Sequence, residues 1–171
     1  MSGDCVVPHR VAFYPCCCND FVEPISLVQP YADRIVFCDV DGGLELEWRV
    51  HESKRSRAVK AEFRIDDARK VIASLQRIDV LFYRRDGDGE GGSALFVLGD
   101  SVLPSILAKF PSQGGLIITD GSNSRDCNFE QMIQRSGLRK HGWGFNLALS
   151  QPLLESHGLH IIRVQPDTPA R

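Results

Sequence analysis

Several features that would quickly assign this chain to a class are missing from it. No apolar run approaches the ~20 residues that a membrane-spanning helix needs, so no helical span is expected. Neither sign of charge dominates. With 20 Lys and Arg against 22 Asp and Glu, the formal charge of −2 gives no global attraction to nucleic acid or to an anionic membrane. No Cys-x-x-Cys occurs and no histidine falls at a diagnostic spacing, so no metal is expected. Three of the six cysteines, Cys16, Cys17 and Cys18, are consecutive, and a chain of 171 residues is long enough to be stable without disulfides; the thiols read as reduced. The first residues lack the basic flank and apolar stretch of a signal peptide, and the expectation is a cytoplasmic protein. There is no internal repeat, long linker or low-complexity tract, so residues 1–171 are expected to form one domain.

What is present is an alternation of strand and helix signals. Val11 to Cys16 is a short apolar run that reads as a buried strand, and Pro24 to Ala32 reads as a short helix with Pro24 in its first turn. Ile35 to Val40 is a second buried strand, carrying Asp39 near its end and Asp41 just beyond it. Two such strands with polar turns at their C-terminal ends, about 20 residues from loop to acid, are what a nucleotide-binding α/β unit requires. The glycines usual in its first turn are absent: Tyr14-Pro-Cys-Cys-Cys-Asn-Asp20 stands there, with a side chain at every position.

Further on, Leu44, Leu46, Trp48 and Val50 alternate with Glu45, Glu47 and Arg49, the period of a half-exposed antiparallel strand. Residues 51–64 are basic and aperiodic and read as an exposed connection. Asp66 or Asp67 caps a helix from Ala68 to Gln76, and Ile78 to Tyr83 is a strand. After the glycine-rich Gly87 to Ser93 come a strand at Ala94 to Leu98, a helix capped by Asp100 or Ser101 with Pro104 in its first turn, and a strand from Leu116 to Thr119 that ends at Asp120. Asn128 caps a further helix, stopped by Gly137; Phe145, Leu147 and Leu149, then Leu159 to Val164, supply the last strands.

The segment Lys109-Phe-Pro-Ser-Gln-Gly-Gly-Leu-Ile-Ile-Thr-Asp120 resembles the helix, Pro/Gly turn and fifth strand of class I S-adenosylmethionine-dependent methyltransferases. Asp39 lies where those domains carry a ribose-binding acid, and the closing pair of strands after Trp143 matches their antiparallel end. Over residues 10–165 the resemblance implies a three-layer, Rossmann-like α/β sandwich, mostly parallel with an antiparallel edge pair, and S-adenosylmethionine as cofactor. It places Asp39 and Asp41 at the ribose, the Tyr14 to Asp20 loop (with Cys16 and Cys18) against the cofactor's amino-acid end, and Asp120, Ser122 and Asn123 toward the methyl acceptor, a small-molecule ligand. Methyl transfer chiefly needs in-line positioning, so no catalytic triad is required and the catalytic residues are left unassigned.

Two other readings stay open. A non-catalytic module of the same fold accounts for the glycine-poor first loop and for an apolar C-terminal segment that a second copy would cover, as a homodimer. An anion-binding enzyme would use the Gly87 to Ser93 amides, with Arg84 and Arg85 neutralising a phosphate. Single features have plainer roles: Cys16 and Cys38 as small buried apolar residues, Cys17 or Cys18 as a nucleophile only with a base such as His9, and Trp143 with Phe145 as hairpin packing. The basic run from His51 to Lys60 lacks interleaved aromatics and reads as a solvated connection.

Overall fold

The computed structural model describes residues 9–54, 59–85, 102–122, 134, 136–148 and 152–167. Seven strands form one sheet in the order β3-β2-β1-β4-β5-β7-β6. They are β1 (Val11–Pro15), β2 (Arg34–Asp39), β3 (Lys60–Ile65), β4 (Val80–Tyr83), β5 (Gly115–Thr119), β6 (Trp143–Ala148) and β7 (His160–Pro166). The first five are parallel; β7 runs antiparallel to both β5 and β6. The intervening helices are α1 (Val22–Val28), α2 (Leu44–Lys54), α3 (Ala68–Ser74), α4 (Leu103–Leu107) and α5 (Pro152–Glu155). No helix among the described residues is long and apolar enough to cross a membrane.

The parallel strands are continuous apolar runs because both faces of the sheet are covered. Ala12, Phe13, Ile35, Val36, Phe37, Leu81 and Phe82 are all fully buried. Pro24 sits within the first turn of α1, where its missing N–H costs nothing, and Asp67 caps α3 by accepting from the Arg69 amide at 2.7 Å. The turn before β5 requires glycine: Gly114 has φ +99°, and a Cβ there would lie 2.1 Å from the Val164 carbonyl oxygen.

Two expectations are corrected. Leu44 to Val50 is not a strand but the start of α2, and within the expected connection 51–64 residues 51–54 continue α2 while 60–64 belong to β3, parallel to β2. The alternating residues also satisfy a helical reading in which only Leu44, Trp48 and His51 face inward. Trp48 packs between Phe21, Phe37 and Phe63 with ring centroids 5.3 to 5.8 Å away, whereas Leu46 is 72% exposed. Strict β-α-β succession is thereby restored where an antiparallel strand was expected. The residue before α4 is Val102, with no side-chain cap; the expected caps Asp100 and Ser101 lie outside the described residues, as do the strand at 94–98 and the cap Asn128. Trp143 packs edge-on against Phe110 at 5.8 Å, the hairpin role expected of it.

Candidate functional site

Between β1 and β4 the succession of strands reverses direction, first β1-β2-β3 to one side and then β4-β5 to the other. In an open α/β sheet this switch point, at the C-terminal ends of the strands, is where ligands bind. A cavity of about 290 Å³ lies there, lined by Tyr14, Cys16 to Asp20, Arg84 and Arg85.

The loop after β1 is held by several distinct interactions. The Cys17 amide donates to the Cys38 carbonyl at 3.1 Å, stitching the loop to the end of β2. The Cys18 amide donates to Asp39 Oδ2 at 2.9 Å, while Asp39 Oδ1 accepts from the Asp41 amide at 3.1 Å. Cys16 and Cys18 adopt left-handed conformations, φ +53° and +47°, which ordinarily favour glycine and cost a side-chain-bearing residue about 1–2 kcal/mol each. The tight turn that glycines usually make is thus present here with cysteines making it.

Arg84, at the end of β4, turns inward and is 3% exposed. Its Nε and Nη2 donate to the two carboxylate oxygens of Asp20 at 2.7 and 2.8 Å, and Nη2 also reaches Glu23 at 2.6 Å. Burial would lower the guanidinium pKa, but the bonds to Asp20 and Glu23 raise it beyond its ordinary value, so the cation is permanent. The Tyr14 hydroxyl donates to the same Asp20 oxygen at 3.0 Å and lies 3.2 Å from the Arg84 carbonyl; burial, then the Asp20 charge, keeps it protonated. Arg85 is exposed, with φ +57°, and its amide donates to Asp120 Oδ2 at 2.9 Å.

Asp120 repeats at β5 what Asp39 does at β2: one oxygen accepts from a neighbouring loop, the other from its own turn, here the Ser122 amide at 2.9 Å. Tyr14, Cys16, Cys18 and Asp20 therefore share the cavity, Asp39 and Asp41 lie beside it, and Asp120 with Ser122 stands across β4. Asn123 and the Gly87 to Ser93 loop lie outside the described residues.

The cysteines divide by environment. Cys17 and Cys38 are buried, Cys16 is half-buried rather than buried as expected, and Cys18 is exposed. Burial, then the nearby Asp39 charge, pushes the Cys17 thiol up; burial likewise raises Cys38 to about 12. Thiols held protonated in this way are poor nucleophiles. His9 cannot serve them as base, because it lines a cavity at the opposite, N-terminal edge of the sheet. No group of three or more His, Cys, Asp or Glu among the described residues is arranged to hold a metal ion.

The sequence does not announce the inward turn of Arg84, because a paired Arg84-Arg85 before a glycine-rich stretch reads either as a connection between strands or as a phosphate clamp. The available signal was an arginine directly continuing the apolar run Val80 to Tyr83, where the chain is still inside the sheet.

Neither the protein-family models nor the curated proteins match this sequence. Solved structures do. An rRNA methylase from Streptococcus thermophilus superposes with a TM-score of 0.54 at 12% identity, over 94% of this chain and 89% of its own. A methyltransferase from Geobacter sulfurreducens gives 0.56 at 13% identity over 93% and 72%. A Streptococcus mutans protein in complex with SAH gives 0.56 at 12% identity over 92% and 88%. Sheet order, antiparallel end and these superpositions agree: the chain has a class I methyltransferase-like Rossmann fold.

Proposed function

We propose that this protein is a non-catalytic binding module built on the methyltransferase fold, in which the C-terminal edge of the sheet has become a structural lock. The observation that carries this reading is the pairing of Arg84 with Asp20 over the end of β1, together with the Cys18 amide on Asp39. S-adenosylmethionine, the cofactor the fold implies, would need the backbone after β1 to approach its amino-acid end and an acid at the end of β2 open to its ribose. Side chains from Tyr14 to Asp20 occupy the first position, and each Asp39 oxygen already gives one of its two lone pairs to a backbone amide that fastens the loop. The cavity is at the small end of ligand pockets, which span roughly 300–1,000 Å³, and Asp39 does not line it. The residues do not fit the cofactor in that pose. Self-association along edge strand β6, where Leu147 is exposed, belongs to this reading and is tested by sedimentation at micromolar concentration.

A second reading keeps the cofactor. It is favoured by the position of the cavity at the switch point and by the exposed Arg85 guanidinium in its lining, which suits the carboxylate of an amino-acid group. Calorimetry with S-adenosylmethionine and S-adenosylhomocysteine decides between the two. The non-catalytic module gives no saturable heat at millimolar ligand. Saturable binding that is lost in Asp39→Ala would establish the methyltransferase reading instead.

A further inference from the structure

We propose that the opposite, N-terminal edge of the sheet binds a phosphate-bearing small molecule, in the cleft formed by the starts of β2 and β3 and the end of α3. The cleft measures about 680 Å³ and is lined by Arg34, Lys60, Arg64 and Arg77, with Val11 and Leu75 as its apolar part. Its volume falls within the ~300–1,000 Å³ usual for small-molecule sites.

The charge there is in excess and incompletely satisfied. Glu62 stands between Arg34 and Arg64 and is hydrogen-bonded to both, and Asp79 holds Arg77 through a fork at 2.5 to 2.9 Å. Two carboxylates thus face four cations. Arg34 Nε is buried with no acceptor, and the Lys60 ammonium has no ion-pair partner among the described residues. Arg34 and Lys60 are register partners across β2 and β3, so these two donors sit on adjacent strands at the same level. An oxyanion in the cleft would lie against the part-exposed Arg34 guanidinium and the Lys60 ammonium at once, and a guanidinium beside an ammonium is a pairing suited to phosphate. The C-terminal turn of α3 opposes this with no more than the roughly half charge of a helix end, which the cations outweigh. Apart from His9 no ring lines the cleft, so it offers no platform for stacking bases along a single strand. The site is independent of the C-terminal edge, which lies the length of β1 away, roughly 16 Å.

Titration calorimetry of the full chain with inorganic pyrophosphate, and separately with ADP, tests the proposal. Pyrophosphate binds saturably; equal affinity for ADP assigns the site to the phosphates alone, and tighter ADP binding adds a nucleoside to its ligand. Lys60→Gln, an exposed change that leaves the fold intact by circular dichroism, weakens binding about tenfold, the loss of one charge-assisted contact. Arg34→Lys, which keeps the charge but removes the fork, weakens it as well. Lys140→Gln, an exposed residue just before β6 at the far edge of the sheet, makes the same change in net charge as Lys60→Gln and leaves the affinity unaltered. No heat at millimolar pyrophosphate, or wild-type affinity in Lys60→Gln, overturns the proposal. So does binding of a short single-stranded oligonucleotide without binding of pyrophosphate, which would make the edge a nucleic-acid surface.

Discussion

Arg84 grips Asp20 with two arms of its guanidinium, at 2.7 and 2.8 Å, across 64 residues of sequence and from the opposite side of the switch point. The pair ties the end of β4 to the loop after β1, the two elements that a bound ligand would have to enter between. Glu23 accepts a further bond from the guanidinium and the Tyr14 hydroxyl donates to Asp20, so that four side chains share one network.

Removing one partner of such a pair leaves the other charged and buried. Arg84→Met is expected to destabilise the protein by about 3 kcal/mol in urea unfolding, the lower end for a broken buried ion pair because Asp20 keeps some contact with water. Glu23→Gln, at a half-exposed carboxylate, should leave the urea midpoint close to wild type.

The helical form of α2 makes a different prediction from the alternating pattern of its sequence. Trp48→Ala should cost about 3–5 kcal/mol, because it empties a site enclosed by three aromatic rings. Leu46→Lys should change the melting temperature little, since the side chain already faces solvent. Equal damage from both substitutions would return the segment to a strand with one apolar face.

Among the described cysteines, alkylation should follow exposure and thiolate character. Iodoacetamide at mildly alkaline pH, read by peptide mass mapping, is expected to label Cys18 first. Cys17 and Cys38 should react only on unfolding, as both are buried and Cys38 is pushed up to about 12.

Acid should weaken the fold through Glu62. Burial alone would raise its carboxyl, but the hydrogen bonds from Arg64 and Arg34 outweigh burial and hold it below the ordinary 4.5. A depressed folded pKa contributes stability that is fully present above about 4.5 and is lost as pH falls through the folded value. The urea midpoint should therefore drop as the pH falls below about 4.5, and Glu62→Gln should make that drop shallower. Asp33 and Asp66, lowered chiefly by backbone amides, retain part of the slope in the variant.

Local pattern determined most of the sheet. Val11 to Pro15, Arg34 to Asp39, Val80 to Tyr83 and Gly115 to Thr119 are legible because strands buried on both faces must be apolar without interruption, and the acids at their ends mark where the chain leaves the core. The Pro/Gly turn before β5 was legible for a similar reason, since a left-handed residue pressed against the β7 backbone has to be Gly114.

What the sequence left open was decided by contacts distant along the chain. The segment from Leu44 fits both a period of two and a helical face, and only the Phe21, Phe37 and Phe63 rings that receive Trp48 select the helix. Lys60 to Ile65 carries too many charges to announce a strand. It becomes one because β2 offers it a parallel edge, and because Arg34 and Arg64 neutralise Glu62 between them. The fate of the site was equally nonlocal. Asp39, Asp20 and Arg84 are written in the sequence whatever the conformation, but whether they face a ligand or one another depends on which loops the sheet brings within 3 Å, and that is a property of the folded chain alone.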